Sequence, residues 1–159
     1  MKRLRYENGS LDGIDRRIVR LLVDDARISV ADIARRVGLS GPSVSERLRR
    51  LEESGTIAGY TVKVNPAALG LPLAAWLRIR PVPGQLAAVI EIVKAIPQVA
   101  SCDRVTGEDC LIAKVQVASV TALEALIDRI APYAMTNTAI IQSSPVDARL
   151  PVAGDDAIA

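Results

Sequence analysis

The chain has 159 residues, 50% apolar and 24% charged, which is enough for one or two small packed cores and too apolar for a disordered chain. It contains no histidine, which excludes histidine acid/base chemistry, serine triads and every His-containing zinc site. The net charge of +2 hides an asymmetry: residues 1–64 carry 13 basic and 9 acidic side chains, residues 65–159 carry 7 and 9, and Arg35–Arg50 holds five arginines against the single Glu46. Such a local excess is the footprint of a nucleic-acid-binding face.

The basic leader Lys2, Arg3, Arg5 runs into Tyr6, Glu7, Asn8 and Gly9 without an apolar stretch, so no secretory signal is expected. It reads as a frayed terminus, with a minor-groove arm as the alternative. Leu11, Ile14, Ile18, Leu21 and Leu22 recur at spacings of 3 and 4 and predict a helix over about 12–24. Ser29 is an N-cap for a short second helix whose apolar face is Ile33, Ala34 and Val37, ended by Gly38. Ser40 caps a third, with Pro42 in its first turn and Val44, Leu48 and Leu51 facing inward, to about Ser54.

Two helices joined at Gly38-Leu39-Ser40 make a helix-turn-helix, whose second helix enters the DNA major groove. With Val44, Leu48 and Leu51 inward, Ser43, Glu46, Arg49 and Arg50 point away and Arg47 lies on a flank. Ser43, Glu46, Arg47 and Arg50 are therefore expected to read base edges, and Arg35, Arg36 and Arg49 to hold phosphates. Ser29 and Ser40, at helix N-termini, add phosphate contacts through backbone N–H groups. The competing reading is a solvated charged face, which an isolated Arg-rich helix usually is.

Glycines, Asn65 and Pro66 punctuate the next stretch, where Tyr60, Val62 and Val64 alternate and predict a short connecting strand. The apolar stretch Leu71–Leu77 stops at Arg78, far short of the roughly 18 residues a spanning helix needs, so no membrane association is expected and the chain is placed in the cytoplasm. From Leu73 the pattern reads strand 73–80, helix 85–95, strand 98–106, strand 109–117, helix 121–131 and strand 136–143. This βαββαβ order repeats one βαβ unit with an offset of about 35 residues, seen in Ile96-Pro97 and Ala131-Pro132. Both helices carry one apolar stripe and would cover one face of a four-stranded antiparallel sheet. The other face, with Trp76, or the sheet edges are expected to be buried by a second copy, which predicts an obligate homodimer whose paired heads suit two-fold half-sites. Cys102 and Cys110 match neither a C-x-x-C motif nor a disulfide framework and read as buried reduced thiols; whether they face each other across a hairpin is not fixed by sequence.

Together these residues resemble the Lrp/AsnC (feast/famine) transcriptional regulators. The resemblance is carried by Leu11-Asp12-x-Ile14-Asp15, Asp25-Ala26-Arg27-Ile28-Ser29, Val37-Gly38-Leu39-Ser40, Arg47-Leu48-Arg49-Arg50-Leu51-Glu52 and Gly55-x-Ile57-x-Gly59-Tyr60, in order, ahead of the βαββαβ half. It implies an α+β chain: an N-terminal helix-turn-helix (winged-helix-like) domain over 1–54, a connector over 55–71, a C-terminal ferredoxin-like βαββαβ (RAM) domain over 72–145 and a tail over 146–159. It further implies dimers that assemble to octamers, double-stranded DNA as partner, and an amino-acid-like effector bound between dimers near the loop Thr106-Gly107-Glu108-Asp109-Cys110.

Many relatives have Gly-Asp/Glu-x-Asp there, so Gly107 and Glu108 fit and Cys110 replaces the second acid. By the resemblance, backbone N–H groups around Gly107 hold a carboxylate, Glu108 or Asp109 an ammonium, and Thr136, Thr138, Ile140 and Gln142 line the pocket. An ordinary hairpin turn is the alternative for this loop. The expected function is a sequence-specific DNA-binding transcriptional regulator responding to an amino acid or related metabolite at an oligomer interface. The alternative is a ligand-independent architectural DNA organiser. No enzymatic activity, cofactor or metal is expected, since a P-loop and G-x-G-x-x-G are also missing.

Overall fold

The structure is a computed structural model that describes residues 11–146 and 148; the basic leader and most of the expected tail lie outside the described residues. The chain divides into two compact units, the first ending at Lys63 and the second beginning at Val64.

Local hydrogen bonding sets the helices of the first unit. The Asp15 N–H donates to Asp12 at 2.7 Å and starts α1 (Gly13–Asp24). The Asp32 N–H donates to the Ser29 hydroxyl at 3.1 Å, and that hydroxyl donates back to the Asp32 carboxylate at 2.7 Å, which starts α2 (Val30–Val37). Gly38 turns the chain with φ at 75°, a left-handed conformation that glycine adopts without steric cost, while its N–H reaches the Ala34 carbonyl. Ser40 then caps α3 (Gly41–Glu53), with Pro42 in the first turn. Ile18 from α1, Ile33, Ala34 and Val37 from α2, and Val44 and Leu51 from α3 form the buried centre, with Leu48 and Ile57 packed against it.

The connecting strand expected at Tyr60, Val62 and Val64 is not formed. The segment runs without a strand partner among the described residues, and unpaired extended backbone is not a strand. A 3-10 turn over Pro66–Leu69, capped by Asn65, leads into the second unit.

There the sheet order is β2-β3-β1-β4, all antiparallel: β1 (Leu73–Pro81) and β3 (Leu111–Val117) are central, β2 (Val99–Arg104) and β4 (Ala134–Ile140) are edges. Strand alternation sends Ala75, Leu77 and Ile79 of β1 and Leu111, Ala113, Val115 and Val117 of β3 to one face. Val89 and Val93 of α4 (Leu86–Lys94) and Leu123, Leu126 and Ile130 of α5 (Val120–Ile130) close over that face as one core. The opposite face presents Trp76, Arg78, Ile112, Asn137 and Ala139 around a shallow depression, and Lys114 lies 5.9 Å from the Trp76 ring centre. This is the α+β, ferredoxin-like arrangement expected.

Two expectations fail in this unit. The last strand starts two residues early, at Ala134, and ends at Ile140, leaving Gln142 beyond it. Cys102 is exposed instead of buried, because β2 is an edge strand whose register shifts between Val99 and Ser101 and whose side chains are largely uncovered. It stands opposite Ala113, so the two thiols do not face each other.

Candidate DNA-binding face and effector site

On α3, Val44 and Leu51 are buried, whereas Ser43, Glu46, Arg49 and Arg50 are exposed, as are Arg35 and Arg36 of α2. Most of these exposed arginines hold carboxylates. Arg35 pairs with Asp32. Arg49 is gripped from both sides, by Glu46 at 2.5 Å and Glu53 at 2.6 Å, and this guanidinium holds the Glu46 carboxyl below its ordinary pKa. Ser40 and Ser43 share a hydroxyl hydrogen bond of 2.8 Å at the start of α3.

Arg47, expected to read a base edge, is engaged within the domain. Its guanidinium donates to Asp12 at 2.6 Å and to Asp15 at 2.7 Å, across α1, and its side chain is 23% exposed. The flank of α3 that carries Arg47 is turned toward the start of α1, so its charge is spent inside the domain. Asp12 caps α1 with one oxygen and takes Arg47 with the other; the Asp15 N–H and then Arg47 hold its carboxyl below the usual carboxylate pKa. Arg50 lies 3.6 Å from the second oxygen of Asp15 and is 55% exposed. Sequence reasoning missed this cluster, although the Leu11-Asp12-x-Ile14-Asp15 spacing was its signal.

In the second unit, loop 105–110 joins β2 to β3 and is closed by the Val105 N–H donating to the Cys110 carbonyl at 3.0 Å. Gly107 takes a φ of 110°, which favours glycine. A depression of about 420 Å³ brings Glu108, Asp109 and Thr136 together with Arg78, Arg80, Met135 and Asn137. Arg80 pairs with Glu108 at 2.5 Å and approaches Asp109 at 3.8 Å.

The other residues expected at the effector site are not in this depression. Cys110 packs against the core instead. Thr138 and Ile140 pair with Leu77 and Ala75, whose side chains are buried on the helix-covered face, so strand alternation carries them to that side. Gln142 lies past the strand, and Gly107 does not line the depression. Arg78, Arg80, Met135 and Asn137 were missed; the Trp76-x-Arg78-x-Arg80 alternation was the available signal.

A sequence model of winged helix-turn-helix DNA-binding domains matches residues 11–58, and one of the Lrp/AsnC ligand binding domain matches residues 74–151. The HTH-type transcriptional regulator LrpA of Mycobacterium tuberculosis is 41% identical over 132 residues, 82% of this chain and 88% of its own length. This chain belongs to the Lrp/AsnC family. Its relatives in the family include LrpC of Bacillus subtilis, also an HTH-type transcriptional regulator, 35% identical over 84% of this chain and 92% of that protein. The solved LrpC structure superposes with a TM-score of 0.83 at 34% identity, covering 88% of this chain and 99% of that one. A feast or famine regulatory protein from M. tuberculosis complexed with L-methionine superposes at 0.85 with 37% identity, covering 91% and 100%. As a member of this family, the chain is a DNA-binding transcriptional regulator.

Proposed function

We propose that the protein binds pseudo-palindromic operators as a homodimer and that a free amino acid, bound in the second unit, shifts its affinity or assembly state. The observation that carries the DNA reading is the exposed face of α3, with Val44 and Leu51 anchoring the helix behind it. Ser43, Glu46 and Arg50 read base edges, since Arg can bind guanine bidentately and contribute about 1–3 kcal/mol of discrimination. Arg35, Arg36 and Arg49 hold phosphates, supported by the helix N-termini at Ser29 and Ser40. Arg47 fixes the angle of α3 instead of touching a base.

Trp76 and Ile112, on the sheet face that no helix among the described residues covers, support dimerisation through that face, with further assembly toward octamers. The L-methionine complex of the M. tuberculosis relative supports an amino acid as effector, and linkage then requires DNA to change ligand affinity by the same factor that ligand changes DNA affinity. The protein works in the cytoplasm, where its DNA is.

The test is selection of bound sequences from a random duplex library, followed by affinities for the selected and a scrambled duplex at one salt concentration. A regulator prefers the selected duplex by about a thousandfold or more. Arg50→Ala should cut that preference about tenfold while leaving scrambled-duplex binding nearly unchanged. Equal affinity for both duplexes would replace this reading with an architectural DNA organiser.

A further inference from the structure

Asp15 is the one buried charged residue among the described residues. An enclosed carboxylate needs a cation, and Arg47 supplies it: its guanidinium donates to Oδ1 of Asp15 at 2.7 Å and is itself held by Asp12 at 2.6 Å. The second oxygen of Asp15 faces a different residue. Arg50, one turn along α3 from Arg47, brings Nη2 to 3.6 Å from Oδ2, close enough for attraction and too long for a hydrogen bond. Its guanidinium is thus steered by charge, while Asp15 takes none of its N–H donors. Arg49 has the opposite arrangement, with Glu46 on its Nε at 3.1 Å and Nη2 at 2.5 Å and Glu53 on its Nη1 at 2.6 Å.

We propose that Asp15 is a positioning residue for base reading: its outer oxygen orients the Arg50 guanidinium before DNA arrives, so that Asp15 sets sequence selectivity without touching a base. The proposal rests on the reading of Arg50 as a base contact. Bidentate recognition of guanine needs two donors of the fork aligned in one plane, and a long arginine side chain loses rotamer freedom when it is fixed so. A partner that already limits this freedom in the unbound protein lowers the cost of binding and sharpens the geometry. Asp15 suits that role because it cannot follow the guanidinium: its N–H is tied to Asp12, its Oδ1 to Arg47, and its side chain is 7% exposed. The orienting group is therefore anchored on α1, while the reader on α3 is 55% exposed to an incoming duplex. Arg49 would have to give up two carboxylates before it met a base.

Selection from a random duplex library with full-length wild type, Arg50→Ala, Asp15→Asn and the double variant tests this, read as base preference at each operator position. Arg50→Ala should flatten the preference at its own base position about tenfold. Asp15→Asn keeps the shape of the side chain and leaves Arg47 on Asp12. It should flatten that same position about threefold, leave the others within about twofold, and add nothing in the Arg50→Ala background. A loosened domain would erode all positions alike and act equally in both backgrounds, and either result overturns the positioning role. So does a sharper preference in Asp15→Asn, which would mean that Asp15 withholds Arg50 from DNA. If Asp15→Asn does not fold, nitrogen relaxation of the arginine Nε–H groups in DNA-free wild type decides: Arg50 should be more ordered than the exposed Arg36, and equal mobility overturns the proposal. A wild-type profile kept in Asp15→Asn overturns it and leaves Arg50 as a base reader. A wild-type profile kept in Arg50→Ala removes that reading, and the role of Asp15 with it.

Discussion

Arg47 in the first unit and Arg80 in the second each meet two carboxylates, yet their surroundings differ. Arg47 and Asp15 have side chains only 23% and 7% exposed, whereas Arg80 and Glu108 are 45% and 83% exposed. A carboxylate as enclosed as Asp15 has little water to fall back on when its partner leaves, so the first cluster is a fixture. Glu108 is solvated with or without Arg80, so the second can be opened by a competing ligand. The same arrangement of three charges is thus enclosed in one place and solvated in the other.

Removing each arginine in turn separates the enclosed cluster from the solvated one. Arg47→Ala should destabilise the first unit by about 2 kcal/mol, below the larger values for fully enclosed pairs because Arg47 is partly solvated and Arg50 remains near Asp15. Arg80→Ala should cost less than about 0.5 kcal/mol. Denaturant titration separates the two units by probe. Trp76, the single tryptophan, lies in the second unit, so its fluorescence follows that unit while circular dichroism also records α1–α3. Equal costs for the two substitutions would show that exposure does not distinguish the clusters.

What the sequence could and could not convey follows the reach of the interactions. The caps at Ser29 and Ser40 and the turn at Gly38 act over three or four residues, and the helices they bound lie where the sequence placed them. Arg47 finds its carboxylates 35 and 32 residues away, and a helical wheel shows the direction of a side chain without showing what stands there. The two apolar stripes were sufficient to place α4 and α5 on one sheet face. The phase of β4 was not legible in the same way. Thr138 and Ile140 were assigned to the effector site by resemblance, while their pairing with Leu77 and Ala75 commits them to the covered side. Arg80 escaped notice because its partners come from a loop beyond two intervening elements.

A smaller effect tests the first cluster by its charge alone. Asparagine caps helices as well as aspartate, so Asp12→Asn keeps the cap on α1 and removes only the charge that meets Arg47. Because the folded-state pKa of Asp12 lies below its ordinary 3.8, its charge stabilises the fold fully above that value. The benefit is lost as pH falls through the lower folded value. Asp12 is half exposed, so the variant should be less stable by about 0.5 kcal/mol near neutral pH. Denaturant midpoints of variant and wild type should converge in acid; a gap that persists there would mean that geometry, not charge, makes the contribution.

The smallest effect is expected on the exposed face of α3, where an ion pair resembles that of Arg80 in solvation. Arg49 is 55% and Glu46 57% exposed, and a phosphate approaching Arg49 has to displace Glu46 and Glu53. Glu46→Gln removes one competitor and one negative charge from the face. Binding to a scrambled duplex should therefore tighten about twofold, and the salt dependence should steepen by less than the 0.9 or so that a whole added phosphate contact brings. If Glu46 also accepts a hydrogen bond from a cytosine amino group in the operator, the same substitution weakens selected-duplex binding while scrambled binding rises. A parallel rise on both duplexes assigns Glu46 to restraining Arg49, and opposite movements assign it to reading a base.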